Sequence, residues 1–165
     1  MTVENIKSTL VTAFEAGGTR PNGFSYGVGG WFTDSYTVTG TSTTSGSTYK
    51  SHVLPSSTIP EIISLYSDGT TDTADVDVGL YHSQTATAYD GVLATALDID
   101  DTGAHDALNI SLGGVYSANT GPKALWELAG LSVDPGGDFY IFAALDADTV
   151  AAGEVEVRVK TLRIA

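Results

Sequence analysis

"EVEVRVKTLRI", residues 154–164, decides the fold class. Val155, Val157 and Val159 fall on one parity, and Glu154, Glu156, Arg158 and Lys160 on the other. An apolar period of two in β-branched residues is a strand with one face in a core and one in water. The parity then slips, because Leu162 and Ile164 are even-numbered. A β-bulge near Lys160–Leu162 would absorb the slip.

Working outward, "ADVDVGLY" (74–81) repeats the pattern, with Val76, Val78 and Leu80 facing in. "DFYIFAAL" (138–145) is almost wholly apolar, as a central strand covered on both faces would be. "STYKSHVL" (47–54), "EIISLY" (61–66) and "WFTDSYTV" (31–38) are three further strands. The prolines of "PSSTIP" (55–60) cannot donate to a ladder and mark a loop or strand edges. "SDGTTD" (67–72) and "DPGGD" (134–138) read as turns. Short strands at this spacing indicate an all-β sandwich or barrel.

One stretch breaks the pattern. "PKALWELAG" (122–130) reads as a short helix, with Pro122 suited to its first position and Gly130 just past its end. So short a helix is unstable unless its apolar face is buried. Leu125 and Trp126 are therefore expected to plug an open end of the sandwich. "VENIKSTLVTAF" (3–14) is ambiguous between helical and alternating spacing. Its Thr and Val content and the lack of a cap before the run favour an extended arm. The glycine-rich "EAGGTRPNGFSYGVGG" (15–30) then reads as a long loop, and "TGTSTTSGST" (39–48) as an exposed low-complexity loop. The expected organisation is an arm and linker over 1–24 and a β-sandwich over 25–165.

The chain has 165 residues, no cysteine, and seven Lys plus Arg against 20 Asp plus Glu, a net charge of −13. Between Lys50 and Lys123 there is no Lys or Arg. Such a surface repels nucleic acid and keeps a protein soluble at high local concentration. No apolar run is long enough to span a membrane, and "MTVENIKSTL" has no pattern of a secretory signal.

Chemistry finds little footing. His52, His82 and His105 each stand alone in their segments and are expected at the surface or at strand edges. No G-x-S-x-G elbow or phosphate loop occurs, so no catalytic residue and no cofactor are expected. "DIDDTGAHDALN" (98–109) partly imitates a calcium loop, with Asp98, Asp100 and Asp106 at positions one, three and nine. Thr102 at position five and Asn109 at position twelve depart from that pattern, so a solvated acidic loop is expected.

"TVENIKSTLVT", "LPSSTIPEI", "DVDVGLY", "KALWELAGLSVDPGGDFYIFAAL" and a final "VRVK" come in an order that resembles the capsid decoration (cement) and head-associated virion proteins of tailed bacteriophages. The resemblance spans nearly the whole chain and is loosest from Tyr89 to Ala118. It implies a jelly-roll-like sandwich, no enzymatic activity, homo-oligomers, and attachment to the major capsid protein on the outer surface of the phage head. In such a protein the arm is where an interface is expected, through Val3, Ile6, Lys7, Leu10, Phe14 and Arg20; the alternative is an arm folded back on its own sandwich as an edge strand. Backbone pairing to a neighbour supplies hydrogen bonds that do not depend on net charge. A cyclic homo-oligomer, a trimer, is expected. The other class is a carbohydrate-binding module of a phage fibre or adhesin, with Trp31, Tyr36 and Tyr49 stacking on sugars.

Overall fold

The chain folds as one long hairpin rolled into two sheets. A computed structural model describes residues 3, 5–18, 31–38, 46–67, 75–98, 103–109, 122–145 and 153–163; for 38, 103–109, 153–154 and 162–163 it describes the backbone alone. In chain order the elements are β1 (Asn5–Lys7), α1 (Thr9–Glu15), β2 (Trp31–Val38), β3 (Thr48–Pro55), β4 (Ile59–Ser67), β5 (Asp75–His82), β6 (Thr87–Asp98), β7 (Gly103–Asn109), α2 (Leu125–Leu128), β8 (Asp138–Leu145) and β9 (Gly153–Arg163). The four-stranded sheet runs β2-β9-β4-β7, and the five-stranded sheet β1-β3-β8-β5-β6. Strands β5 and β6 form the hairpin tip across the turn at 83–86, and the pairs β4·β7, β3·β8 and β2·β9 follow outward from it. Successive strands of that ribbon alternate between the two sheets, which is a jelly roll. The all-β sandwich expected from the alternating strands is therefore the observed architecture.

The core lies between the sheets. Val155, Val157 and Val159 of β9, Val76, Val78 and Leu80 of β5, and Phe139, Ile141 and Leu145 of β8 are all buried there. The slip near Lys160 is a bulge, as the parity requires. Ile59 pairs with Arg163 and Pro60 with Thr161, so Leu162 is the extra residue on β9. Pro60 is tolerated because β7 joins β4 only from Ile62 onward, leaving β4 with one neighbour at that point.

The β5–β6 register slips twice, between Val76 and Val78 and between Val78 and Leu80. At the second slip β6 backbone presses on Gly79. A Cβ there would lie 2.1 Å from the Tyr89 carbonyl oxygen. At the first, the Ala96 N–H donates to Asp77 Oδ1 at 2.8 Å, with Ala96 at φ 50.

Helix α2 is shorter than expected. Its N-cap is Ala124, so Pro122 lies before the helix instead of at its first position. Gly130 takes the left-handed φ of 78 expected beyond the end. Leu125 is fully buried, while Trp126 packs against the core only half-buried. The N–H groups of Leu125 and Trp126 donate to the Thr58 and Ser56 carbonyls, tying the helix to the β3–β4 connection.

The N-terminal segment departs from the extended course expected of it. Only Asn5–Lys7 is extended, parallel to β3 of its own sheet. Ser8 then caps α1, its hydroxyl accepting the Val11 N–H at 3.2 Å. The cap sits inside the apolar run, between two different periods, and not before it. Val11 is buried on Val53 and Tyr140, and the Phe14 ring meets the Tyr140 ring edge-on at 6.4 Å. The segment thus covers the outer face of the five-stranded sheet. The linker and loop stretches 19–30, 39–45 and 68–74 lie outside the described residues.

Candidate interaction surface

Two of the three histidines are internal, not at the surface as their isolation in sequence suggests. His52 sits in a bulge of β3, where Ser51 pairs with Ile141 and Leu54 with Phe139, and has φ 55. It is 2% exposed. Its Nε2–H donates to the Phe32 carbonyl at 3.2 Å, its Nδ1 lies 3.3 Å from Ser51 Oγ, and its backbone N–H donates to Asp34 Oδ2 at 2.9 Å. Burial, opposed by the Asp34 carboxylate and the Phe32 carbonyl, holds the ring below its usual pKa and thus neutral. Ser, His and Asp meet here, yet the carboxylate takes the backbone N–H and not the imidazole. A catalytic triad needs the opposite. The group instead joins β2 to β3 across the corner of the sandwich.

His82 is 1% exposed and closes the hairpin tip. The Thr85 N–H donates to its Nδ1 at 3.2 Å, and its Nε2–H donates to the Gly136 carbonyl at 2.9 Å. His105 lies on β7.

The acidic stretch is only partly described. Asp98 is exposed at the end of β6, opposite Asp75; Asp100 lies outside the described residues; Asp106 lies on β7. Among the described residues no group of three or more His, Asp or Glu is placed to hold a metal ion. Among them, too, no helix is long and apolar enough to cross a membrane.

The expected arm residues scatter. Val3 is 56% exposed. Ile6 packs half-buried against the main core, and Lys7 pairs with Glu15. Leu10 is half-buried, Phe14 covers Tyr140, and Arg20 lies outside the described residues. Lys50, opposite Lys7 in register, places its ammonium 3.4 Å from the Tyr81 ring centroid. Partial burial, and then Lys7, push its pKa down, against Glu15.

The proposed sugar platforms do not share a surface. Tyr36 and Tyr49 are buried and stack on each other at 4.9 Å and 9° between the sheets. Burial, then Tyr49, drives the Tyr36 hydroxyl well above its usual pKa. Trp31 alone of the three is open, at 55% exposure.

Trp31 belongs to a different set. Because the valines of β9 face the core, their neighbours face outward, and the register sets them in rows across the four-stranded sheet. Trp31, Lys160 and Ile62 form one row, Thr33, Arg158 and Ser64 the next, and Ser35, Glu156 and Tyr66 the third. Lys160 pairs with Glu61 at 2.7 Å, and Arg158 pairs with Glu156 while its guanidinium lies 4.2 Å from the Tyr66 ring centroid. The outer face of this sheet thus carries an exposed Trp31, half-buried Ile62 and Tyr66, and two ion pairs, on a chain of net charge −13. Sequence reasoning assigned the outward parity of β9 correctly. It had no means of knowing that β2 and β4 flank it and supply Trp31, Ile62 and Tyr66.

No family model matches the chain, and no curated protein matches it. Among solved structures, a chain of a cyanophage Pam1 capsid asymmetric unit is similar over 87% of this chain and 92% of its own length, with a TM-score of 0.48 and 17% identity.

Proposed function

We propose that this chain is a non-enzymatic virion structural protein, a capsid decoration (cement) protein that binds and stabilises the major capsid protein lattice on the outer surface of a phage head, as a homo-oligomer of trimer form. The observation that carries the reading is the outer face of the four-stranded sheet. An exposed tryptophan beside half-buried aromatic and apolar side chains, with locally paired charges, is the composition of a protein contact. The internal use of His52 and His82 agrees with a binding role, since both rings spend their nitrogens on holding strands and turns together. The ordered sequence motifs supply the partner, because they resemble phage head proteins and not fibre modules. The N-terminal residues keep a place in this proposal. Val3 and the outer edge of β1 lie where a strand of the lattice could pair.

The test is direct. Purified protein is mixed with expanded shells of the major capsid protein from the same phage, and the pellet is weighed against free protein. Stoichiometric, saturable binding and regular density on the shell exterior are expected. Protein that stays in the supernatant, or density confined to the shell interior, would refute the assignment.

A further inference from the structure

We propose that the outer face of the four-stranded sheet is a self-contact, with Trp31 lying beside a symmetry axis of the homo-oligomer. This rests on the reading above and deepens its oligomeric part: the face is given to the homo-oligomer, which leaves Val3 and the outer edge of β1 to meet the shell. In any cyclic oligomer, residues next to the axis meet their own equivalents in the other copies. A charged residue there meets its own charge. For a chain of net charge −13 most surfaces fail that condition. The β5–β6 pair is an example, since Asp75 already stands opposite Asp98 within one copy.

The Trp31 face meets the condition. Lys160 is paired with Glu61 and Arg158 with Glu156, so the β2, β9 and β4 positions around Trp31 sum to zero charge, and Asp106, in line with Arg158, stands on β7 at the far edge of the sheet. At physiological salt, charges beyond about 8 Å are screened, so an approaching copy senses this neutral patch and not the whole chain. The patch also supplies something to bury. The Trp31 indole is more than half exposed, and Ile62 stands in the same row across Lys160. An exposed tryptophan flanked by balanced charges is the usual anchor of a contact. Two signs separate this occupant from a charged partner. Self-association strengthens as salt rises from about 20 to 150 mM, because distant repulsion is screened while the local pairs are already balanced. A contact driven by opposite charges weakens over the same range.

The chain contains no cysteine, which makes a symmetric cross-link decisive. Thr33→Cys places a thiol on the exposed face one row from Trp31; Val133→Cys places one at an exposed site (74%) far along the chain on the loop before β8. Under mild oxidation at low micromolar concentration, the Thr33→Cys protein is expected to cross-link to a disulfide dimer and Val133→Cys to remain single. Adding Trp31→Ala to Thr33→Cys should lower the cross-linked yield at least tenfold with an unchanged Tm. Sedimentation of the unmodified chain as a monomer at all salt concentrations would overturn both the face and the oligomer. An unmodified oligomer with equal or no cross-linking at the two sites would overturn the face alone. Neither result bears on shell binding, which the pelleting assay reads separately.

Discussion

The buried His52 makes stability depend on pH in a way that one substitution isolates. In the folded chain the ring is held neutral by burial, so its pKa lies below the ordinary value of 6.5, which the unfolded chain retains. Below pH 6.5 the unfolded state therefore binds a proton that the folded state does not, and stability falls as pH falls until the folded ring itself titrates. With the folded ring neutral throughout, the loss between pH 7.5 and 5.5 is about 1.4 kcal/mol, close to one pKa unit's worth. For a chain of this length that is roughly 3–5 °C in Tm. The carboxylates add their own pH dependence, so wild type is compared with His52→Asn. Asparagine tolerates the left-handed φ of 55 and does not titrate. Urea unfolding at pH 7.5, 6.5 and 5.5 should show the wild type losing more stability than the variant across that range, by at most about 1.4 kcal/mol. Parallel curves for the two proteins, or a wild type that gains on the variant at pH 5.5, would refute a neutral buried ring.

Gly79→Ala should destabilise by about 2 kcal/mol or more, read as a fall in Tm, because the new Cβ meets the Tyr89 carbonyl oxygen and β6 backbone must move. Leu125→Ala should cost about 2–5 kcal/mol in chemical unfolding, since Leu125 is fully buried in the core. Ser8→Ala should cost about 1 kcal/mol by removing the α1 cap, with no change in strand content by circular dichroism. Deleting residues 2–16 should lower Tm sharply by uncovering Val53 and Tyr140; a truncated chain as stable as the whole would show that α1 is dispensable to the fold.

β5 and β9 were legible because each turns one side to the core and the other outward, so composition alternates with geometry. β8 was legible by its unbroken apolar run, because it is buried on both faces. The N-terminal run was not legible, because three extended residues and a seven-residue helix share one apolar stretch. No single period describes both, and Ser8 is a cap only if the helix begins after it. The histidines were misplaced for another reason. An isolated His in a polar stretch looks exposed, and only the β3 bulge turns the His52 ring toward Phe32. The candidate surface depended on partners. β9 shows its charges in sequence, but Trp31, Ile62 and Tyr66 join it only through pairings that cross most of the chain.

Those long pairings also set how the molecule comes together in time. The hairpin tip between β5 and β6 closes a short loop, while Trp31 must find Lys160 nearly the whole length of the chain away. Contacts so distant in sequence slow folding, because their loop entropy is spent before they return anything. The tip is expected to form early and β2·β9 last. Substitutions near Gly79 and His82 should then change the folding rate, whereas those in β2 and β9 should mainly change the unfolding rate. The lifetime of the folded protein, more than its speed of formation, would be governed by the strand pair that carries Trp31.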